Sequence, residues 1–589
     1  MTAADGRDRA ARDAAPDFDD VADATPALDL LLSDAALGVW RRFRPDTSML
    51  RFGLRLASQP RALASRSAAL AGELGRIATG QSALAPAGRD RRFSDRAWGD
   101  NPVLKRILQA YLASGALADD LLADAHLAWQ DREKVGFVVG NLVDAAAPSN
   151  NPLVNPAAWK ALIDTGGISA LRGLRAFATD LATAPRIPAM VEPDAFEVGR
   201  DLAVTPGAVV RRTEICELIQ YAAVTPRVHR FPLVIVPPMI NKFYICDLAP
   251  ARSLIEYLVS QGHQVFAISW RNPDVRHRDW DLDSYGQAVL DSLDSARKIC
   301  GAARASIGAL CSGGIVSSMV AAHLSQAGRL DELASLYLGV TVLDQTQEGT
   351  AAALVDERTA ELAVAASRAR GYLDGRALAE VFAWLRPNDL IWNYWVNNYL
   401  QGRKPPPFDI LYWNADTTRM PAALHRDFID LVLARTLARP GAATMLGSAV
   451  DLSAVDTDAY VVAGIADHLC PWQSCYRSTQ LLGGDVRFVL STSGHIASMV
   501  NPPDNPKARF QVAPGQADGV GAADGQLRAN PADPATWLGA AHTVPGSWWT
   551  DYSAWLADRS GGDKNRRAKL GGGGYAPGEP APGLYVLDR

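Results

Sequence analysis

The chain has 589 residues, 48% hydrophobic and 21% charged, with 15 tryptophans, enough apolar material for a large core, which excludes a disordered or coiled-coil protein. A formal net charge of −5 gives no electrostatic reason to expect nucleic acid or an anionic membrane surface as the main partner. The six cysteines (Cys216, Cys246, Cys300, Cys311, Cys470 and Cys475) are too scattered for a disulfide framework, and none pairs at CxxC zinc spacing, so free thiols and no bound metal are expected.

Residues 1–27 are rich in Ala and Asp and poor in large apolar side chains, which predicts a disordered acidic tail. That stretch has no apolar signal-type run, and no later run reaches the roughly 20 residues of a membrane helix, so the chain is not expected to cross a membrane. Residues 28–204 carry apolar side chains at three- and four-residue spacing, as in NPVLKRILQAYLASGALADDLLADAHLAW, and predict an N-terminal helical region. From Phe231 onward the texture changes to short apolar runs: FPLVIVPP, HQVFAISW, RASIGAL, LASLYLGVTV, AYVVAGIAD and VRFVLSTSG. Such runs suit strands buried on both faces, and the amphipathic segments between them, such as SYGQAVLDSLDSARKI, predict crossover helices on a mostly parallel α/β sheet. This catalytic domain is expected over residues 205–560. An insertion at about 345–449, crowded with Trp, Tyr and Asn, reads as a cap over a site beyond the strands' carboxyl ends; a packed helical excursion is the plainer alternative. The Gly- and Pro-rich end, residues 561–589, reads as a flexible tail.

The sharpest local signal is RASIGALCSGGIVSSMV, in which a strand runs into Cys311 and a helix starts at the glycines. A nucleophile elbow holds its reactive side chain on such a strand-to-helix turn, with small residues two before and two after it. Here those residues are Ala309, where Gly is usual, and Gly313. A helix N-terminus favours the thiolate, and a thiolate suits exchange with thioesters. The plain alternative is a small buried side chain. Asp467 and His495 each follow a later strand, giving the order nucleophile, acid, histidine found in the α/β-hydrolase fold. His468 is the rival base, but it adjoins Asp467, and neighbouring loop side chains seldom face each other well. Asp456 and Asp485 read as caps or solvated turn residues. Oxyanion donors are expected at the Ser312 N–H and, from the turn PPMIN, at Met239 or Ile240. The remaining thiols, Cys300, Cys470 and Cys475 among them, are read as outside the chemistry.

With these residues in place the chain resembles the polyhydroxyalkanoate synthases, lipase-like enzymes that use cysteine. The resemblance rests on PPMINKFYICDL (237–248), AISWRNPD (267–274), CSGGI (311–315), RPNDLIWNYWVNNYL (386–400), DHLCPW (467–472) and SGHIASMVNPP (493–503), and extends through FSDRAWGDNPVLKRILQAYL and APSNNPLVNPAAWKALIDTGG in the helical region. NDLIWNYWVNNYL, FDILYWNADTTRMPAALH and APGLYVLDR look most like the class II, single-subunit branch, with class I the alternative. The resemblance implies an α/β-hydrolase fold, a Cys311–Asp467–His495 triad, a mobile cap, and a homodimer on cytoplasmic polyester granules. It also implies transfer of (R)-3-hydroxyacyl groups from CoA thioesters, with CoA as product and no cofactor. Asn241, Asp247 and His468 are candidates for supporting the site, a local turn role being the alternative for the first two. The competing readings are a cysteine thioesterase of the same fold and an inactive granule-binding protein.

Overall fold

The computed structural model describes residues 28–88, 90–344, 357–467, 469–513 and 530–589. The predicted tail at residues 1–27, the start of the predicted cap and His468 lie outside them. The described chain divides into two compact units: one holds residues 37–192 and 376–407, and the other holds residues 193–375 and 408–589, with the short stretch before residue 37.

The first unit is helical, as the periodicity predicts. Its helices include α1 (Pro60–Thr79), α2 (Pro102–Asp124), α3 (Trp129–Ala145), α4 (Pro156–Asp164) and α5 (Ile168–Ala182). Two Asn-Pro pairs start helices for one physical reason. Asn101 accepts hydrogen bonds from the backbone N–H groups of Val103 and Leu104, and Asn155 from those of Ala157 and Ala158, while the following proline spends no N–H at the first helical position. Phe93, Trp98, Leu108 and Ala147 form a small core between these elements.

The aromatic segment of the expected cap belongs to this helical unit. Two stretches of π-helix, Asn388–Trp392 and Trp395–Leu400, hold it. Asn388 donates to Asp144 (2.8 Å), Trp395 to the Asn150 carbonyl (3.1 Å) and Asn398 to the Ala189 carbonyl (2.7 Å). Tyr399 donates to Asp180 (2.7 Å), and its carbonyl occupies the space a Cβ at Gly173 would need, so α5 can approach this backbone only because residue 173 is glycine. Two of the asparagines that crowd this segment in the sequence, Asn388 and Asn398, are thus donors to the helical region.

The second unit is built on a ten-stranded sheet. Its strands are β1 (Gly207–Arg212), β2 (Cys216–Tyr221), β4 (Leu233–Val236), β5 (Val265–Trp270), β6 (Ala305–Leu310), β7 (Leu333–Gly339), β8 (Ala459–Gly464), β9 (Val486–Ser491), β10 (Arg509–Val512) and β11 (His542–Pro545); β3 (Arg227–His229) lies outside it. The order is β1-β2-β5-β4-β6-β7-β8-β9-β10-β11, parallel from β5 to β9 and antiparallel at both flanks. Every residue of β4, β5, β6 and β8 is buried, which is why these strands read as unbroken apolar runs. Helices α6 (Leu282–Cys300) and α7 (Ser312–Gln326) flank β6 in the chain, and Asp281 starts α6 with a reciprocal capping box.

The C-terminal segment departs from the flexible tail that its composition predicts. Strand β12 (Asp563–Asn565) pairs antiparallel with β3. Further on, Glu217, fully buried, accepts from the N–H groups of Leu584 (2.9 Å) and Tyr585 (3.1 Å), and Lys242 donates to the Val586 carbonyl (2.6 Å). The glycines are the reason: Gly571 to Gly574 all have positive φ, so they build fixed left-handed turns where composition alone suggests a loose chain.

Candidate active site

Cys311 sits between β6 and α7 with φ +50° and ψ −122°, a backbone conformation that only a well-supported turn holds at a non-glycine residue. The support is local. The Cys311 N–H donates to the Gly339 carbonyl at the end of β7 (2.9 Å), and the Cys311 carbonyl accepts from Gly314 to begin α7. A Cβ at Gly313 would stand 2.5 Å from the Val236 carbonyl oxygen and 2.6 Å from that of Pro237, so glycine is needed where α7 starts against the end of β4. Ala309 is completely buried in β6, paired with Val236 and Leu338, and its methyl is accommodated there.

Asp467 lies just beyond β8, and His495 opens the short helix α8 (His495–Met499) after β9. Parallel pairing of β8 with β9 brings the two strand ends side by side. His495 Nδ1 and Asp467 Oδ2 are 2.7 Å apart, which fixes the ring and leaves Nε2 facing away from the carboxylate. The other Asp467 oxygen accepts from the N–H groups of Leu469 (2.8 Å) and Cys470 (2.9 Å). The Cys311 sulfur, the Cys470 sulfur and a His495 ring nitrogen all lie within 4.8 Å of one another. His468, the rival base, is outside the described residues.

Cys470 is the residue that sequence reasoning missed. Its thiol hydrogen bond to Cys311 is the largest influence lowering the Cys311 pKa; burial opposes it, and His495 and the Ser312 N–H add to it. Cys470 itself is pushed well above the ordinary thiol range by that same bond and by burial, so it stays the proton donor. Burial works to lower the His495 pKa, but the Asp467 carboxylate and the Cys311 sulfur outweigh it and hold the ring protonated above its usual range. These shifts favour a Cys311 thiolate beside a His495 imidazolium, with Cys470 as a second donor. The one signal for Cys470 in the sequence is its place three residues after Asp467 in DHLCPW. By contrast, burial drives the thiols of Cys216 and Cys300 up to about 11.

The turn after β4 reaches the same region. The Met239 N–H donates to the Ser312 hydroxyl (3.1 Å), and the Thr418 hydroxyl donates to the Met239 carbonyl (3.1 Å). Ile240 follows, and its carbonyl accepts from the Thr418 N–H; Asn241 forms a backbone bridge with Thr417. Asp247 is buried in a hydroxyl cage, accepting from Thr205 (2.5 Å) and Ser253 (2.7 Å), and those bonds tie it to the loops around residues 203–205 and 253.

The comparisons with known proteins agree with this fold. Residues 232–502 match the alpha/beta hydrolase fold, the fold expected from the order of Cys311, Asp467 and His495. Residues 89–258 match the family described as the N-terminus of poly-beta-hydroxybutyrate polymerase (PhaC). Poly(3-hydroxyalkanoate) polymerase 2 of Ectopseudomonas oleovorans is 44% identical over 96% of this chain and 98% of its own. The chain belongs to the poly(3-hydroxyalkanoate) polymerase family. Polymerase 1 of the same organism is 45% identical over 88% of this chain and 90% of its own, and the polymerase subunit PhaC of Cupriavidus necator is 39% identical over 84% and 83%. The polymerase likeness thus spans both units.

Proposed function

We propose that this polymerase-family chain is a poly(3-hydroxyalkanoate) synthase that takes (R)-3-hydroxyacyl-CoA and builds polyester through an acyl group held on Cys311. The observation that carries the reading is the strained elbow at Cys311 beside the Asp467-bound His495, in a chain that matches the E. oleovorans polymerase over nearly its whole length.

In the first step the Cys311 thiolate attacks the thioester carbonyl. The tetrahedral oxyanion is held by the Ser312 N–H and, because the Met239 N–H is committed to the Ser312 hydroxyl, by the Ile240 N–H. The carbonyl re-forms as CoA leaves, and the departing sulfur takes its proton from His495 Nε2. His495, now neutral, removes the proton of an incoming 3-hydroxyl as that oxygen attacks a thioester carbonyl, so each cycle forms one ester bond and frees one thiol. Asp467 orients the ring and stabilises its charge; direct help to the hydroxyl is the other role open to it. A cap drawn from the insertion at about 345–449 keeps water from the acyl-cysteine in this reading. Class II likeness favours medium-length monomers, and the enzyme works as a homodimer on granules in the cytoplasm.

The test supplies pure protein with 3-hydroxybutyryl-CoA or longer homologues and looks for CoA release together with insoluble polymer. Butyryl-CoA, which lacks the hydroxyl, should release no more than about one CoA per site and leave the protein one acyl group heavier. Continuous release of butyrate would overturn the synthase and favour a thioesterase.

A further inference from the structure

We propose that Cys311, Cys470 and His495 form a site for a thiophilic divalent cation, best matched by Zn²⁺, whose binding reversibly removes Cys311 from acyl transfer. The sequence reading expects no metal because no two cysteines stand at zinc-binding spacing, but the fold assembles the donors from three separate strand ends. Among the described residues this is the group in which three metal-ligating side chains converge, with two sulfurs and one ring nitrogen mutually within 4.8 Å. In a tetrahedral site with Zn–S about 2.3 Å and Zn–N about 2.0 Å, neighbouring donors stand roughly 3.5–3.8 Å apart. Side-chain rotations of about 1 Å therefore close the cluster onto an ion.

The surroundings fit as well as the donors. Asp467 holds His495 by Nδ1 at 2.7 Å, so Nε2 is the free nitrogen, and a carboxylate behind a coordinating imidazole is the arrangement that zinc sites use to fix ring and tautomer. The same aspartate holds the Cys470 backbone N–H at 2.9 Å, which anchors the second sulfur against the first. Cys470 and His495 are buried, and Cys311 is half-buried. Coordination as two thiolates and a neutral imidazole sends the proton shared by Cys311 and His495, and that of Cys470, to solvent, and the two charges of the ion cancel those of the sulfurs. A fourth position stays open to water. The inference does not depend on which acyl group the enzyme transfers, because the ion is read by its own binding.

The experiment uses the full chain, stripped with a chelator and kept reduced with a phosphine. Zn²⁺ is titrated against a chromophoric indicator, and Co²⁺ is followed by absorption. We expect one ion per chain, a thiolate-to-cobalt band in the near ultraviolet, and loss of Cys311 labelling by iodoacetamide that EDTA restores. Cys311→Ala and Cys470→Ser should each weaken binding more than about tenfold, and Cys475→Ala should leave it unchanged. Should Cys470→Ser misfold by circular dichroism, His495→Gln gives the same reading. Absence of a stoichiometric ion, absence of the thiolate band, or affinity unchanged in the ligand variants would each overturn the site.

Discussion

The N–H of Met239 donates to the hydroxyl of Ser312, joining the turn after β4 to the first residue of the helix that follows Cys311. Removing that hydroxyl leaves a buried donor without its acceptor, so Ser312→Ala should cost about 1–3 kcal/mol, read as a lower midpoint in urea unfolding. It should also slow acyl transfer, because the turn that presents the Ile240 N–H loses its tie. Unchanged stability would show that the bond contributes little.

Cys311 should stay reactive at lower pH than a free thiol. Its pKa is lowered, first by the Cys470 thiol and then by His495 against the opposition of burial, so the thiolate is present above that lowered value and disappears only as pH falls through it. A thiol near the ordinary value of about 8.5 would already be mostly protonated at neutrality. The profile of iodoacetamide labelling against pH should move up in Cys470→Ala, which removes the nearest donor, and less in Cys470→Ser. An unmoved profile in Cys470→Ala would return that thiol to the role of packing.

His495→Gln should lower acyl transfer by about 10²–10⁴-fold and shift the labelling profile upward, since the imidazolium that faces the sulfur is gone. The raised His495 pKa implies that the imidazolium persists above its ordinary range and is lost as pH rises through the raised value. Cys311→Ala should abolish CoA release with the fold intact, and Cys311→Ser should lose most of it, because the site holds a thiolate far more readily than an alkoxide.

At Gly313, alanine should destabilise by about 1–3 kcal/mol, as its Cβ meets the backbone carbonyls of Val236 and Pro237, which cannot swing aside as a flexible side chain would. Guanidinium unfolding of Gly313→Ala checks this; a neutral result would mean that β4 and α7 separate more easily than the packing implies.

Truncation after Pro582 removes the donors that Leu584 and Tyr585 give to buried Glu217 and the carbonyl that Lys242 reaches. Each lost bond to a charged group is worth about 1.5–3 kcal/mol, so the truncated chain should melt earlier and be cut faster by protease. Equal resistance would mark the segment as dispensable.

The legible parts of the fold are those where chemistry and backbone are neighbours in sequence. The apolar runs of β4, β5, β6 and β8 announce a doubly buried parallel sheet, and Cys311, Asp467 and His495 each follow a strand, so strand ends alone locate them. Cys470 escapes because its place three residues after Asp467 is the one local mark it carries, and only the approach of β6 to the loop after β8 puts its sulfur beside Cys311. The C-terminal segment escapes because glycine content says that a chain can bend and is silent on whether a particular turn is held. The aromatic insertion is legible as distinctive and misleading about its neighbours, since the hydrogen bonds of Asn388, Trp395 and Asn398 run to the helical region.

The placement of residues 376–407 in the same unit as residues 37–192 sets an order of events during synthesis. At roughly 5–20 residues per second, the ribosome needs roughly ten to forty seconds to go from residue 192 to residue 407. For that interval the N-terminal helices have been made, but Gly173, Asp180, Asn150 and Asp144 have no Tyr399, Trp395 or Asn388 to receive. The N-terminal helical unit therefore waits until residue 407 has been made, with the hydrogen-bonding partners of Asn388, Trp395 and Tyr399 unmatched in the meantime.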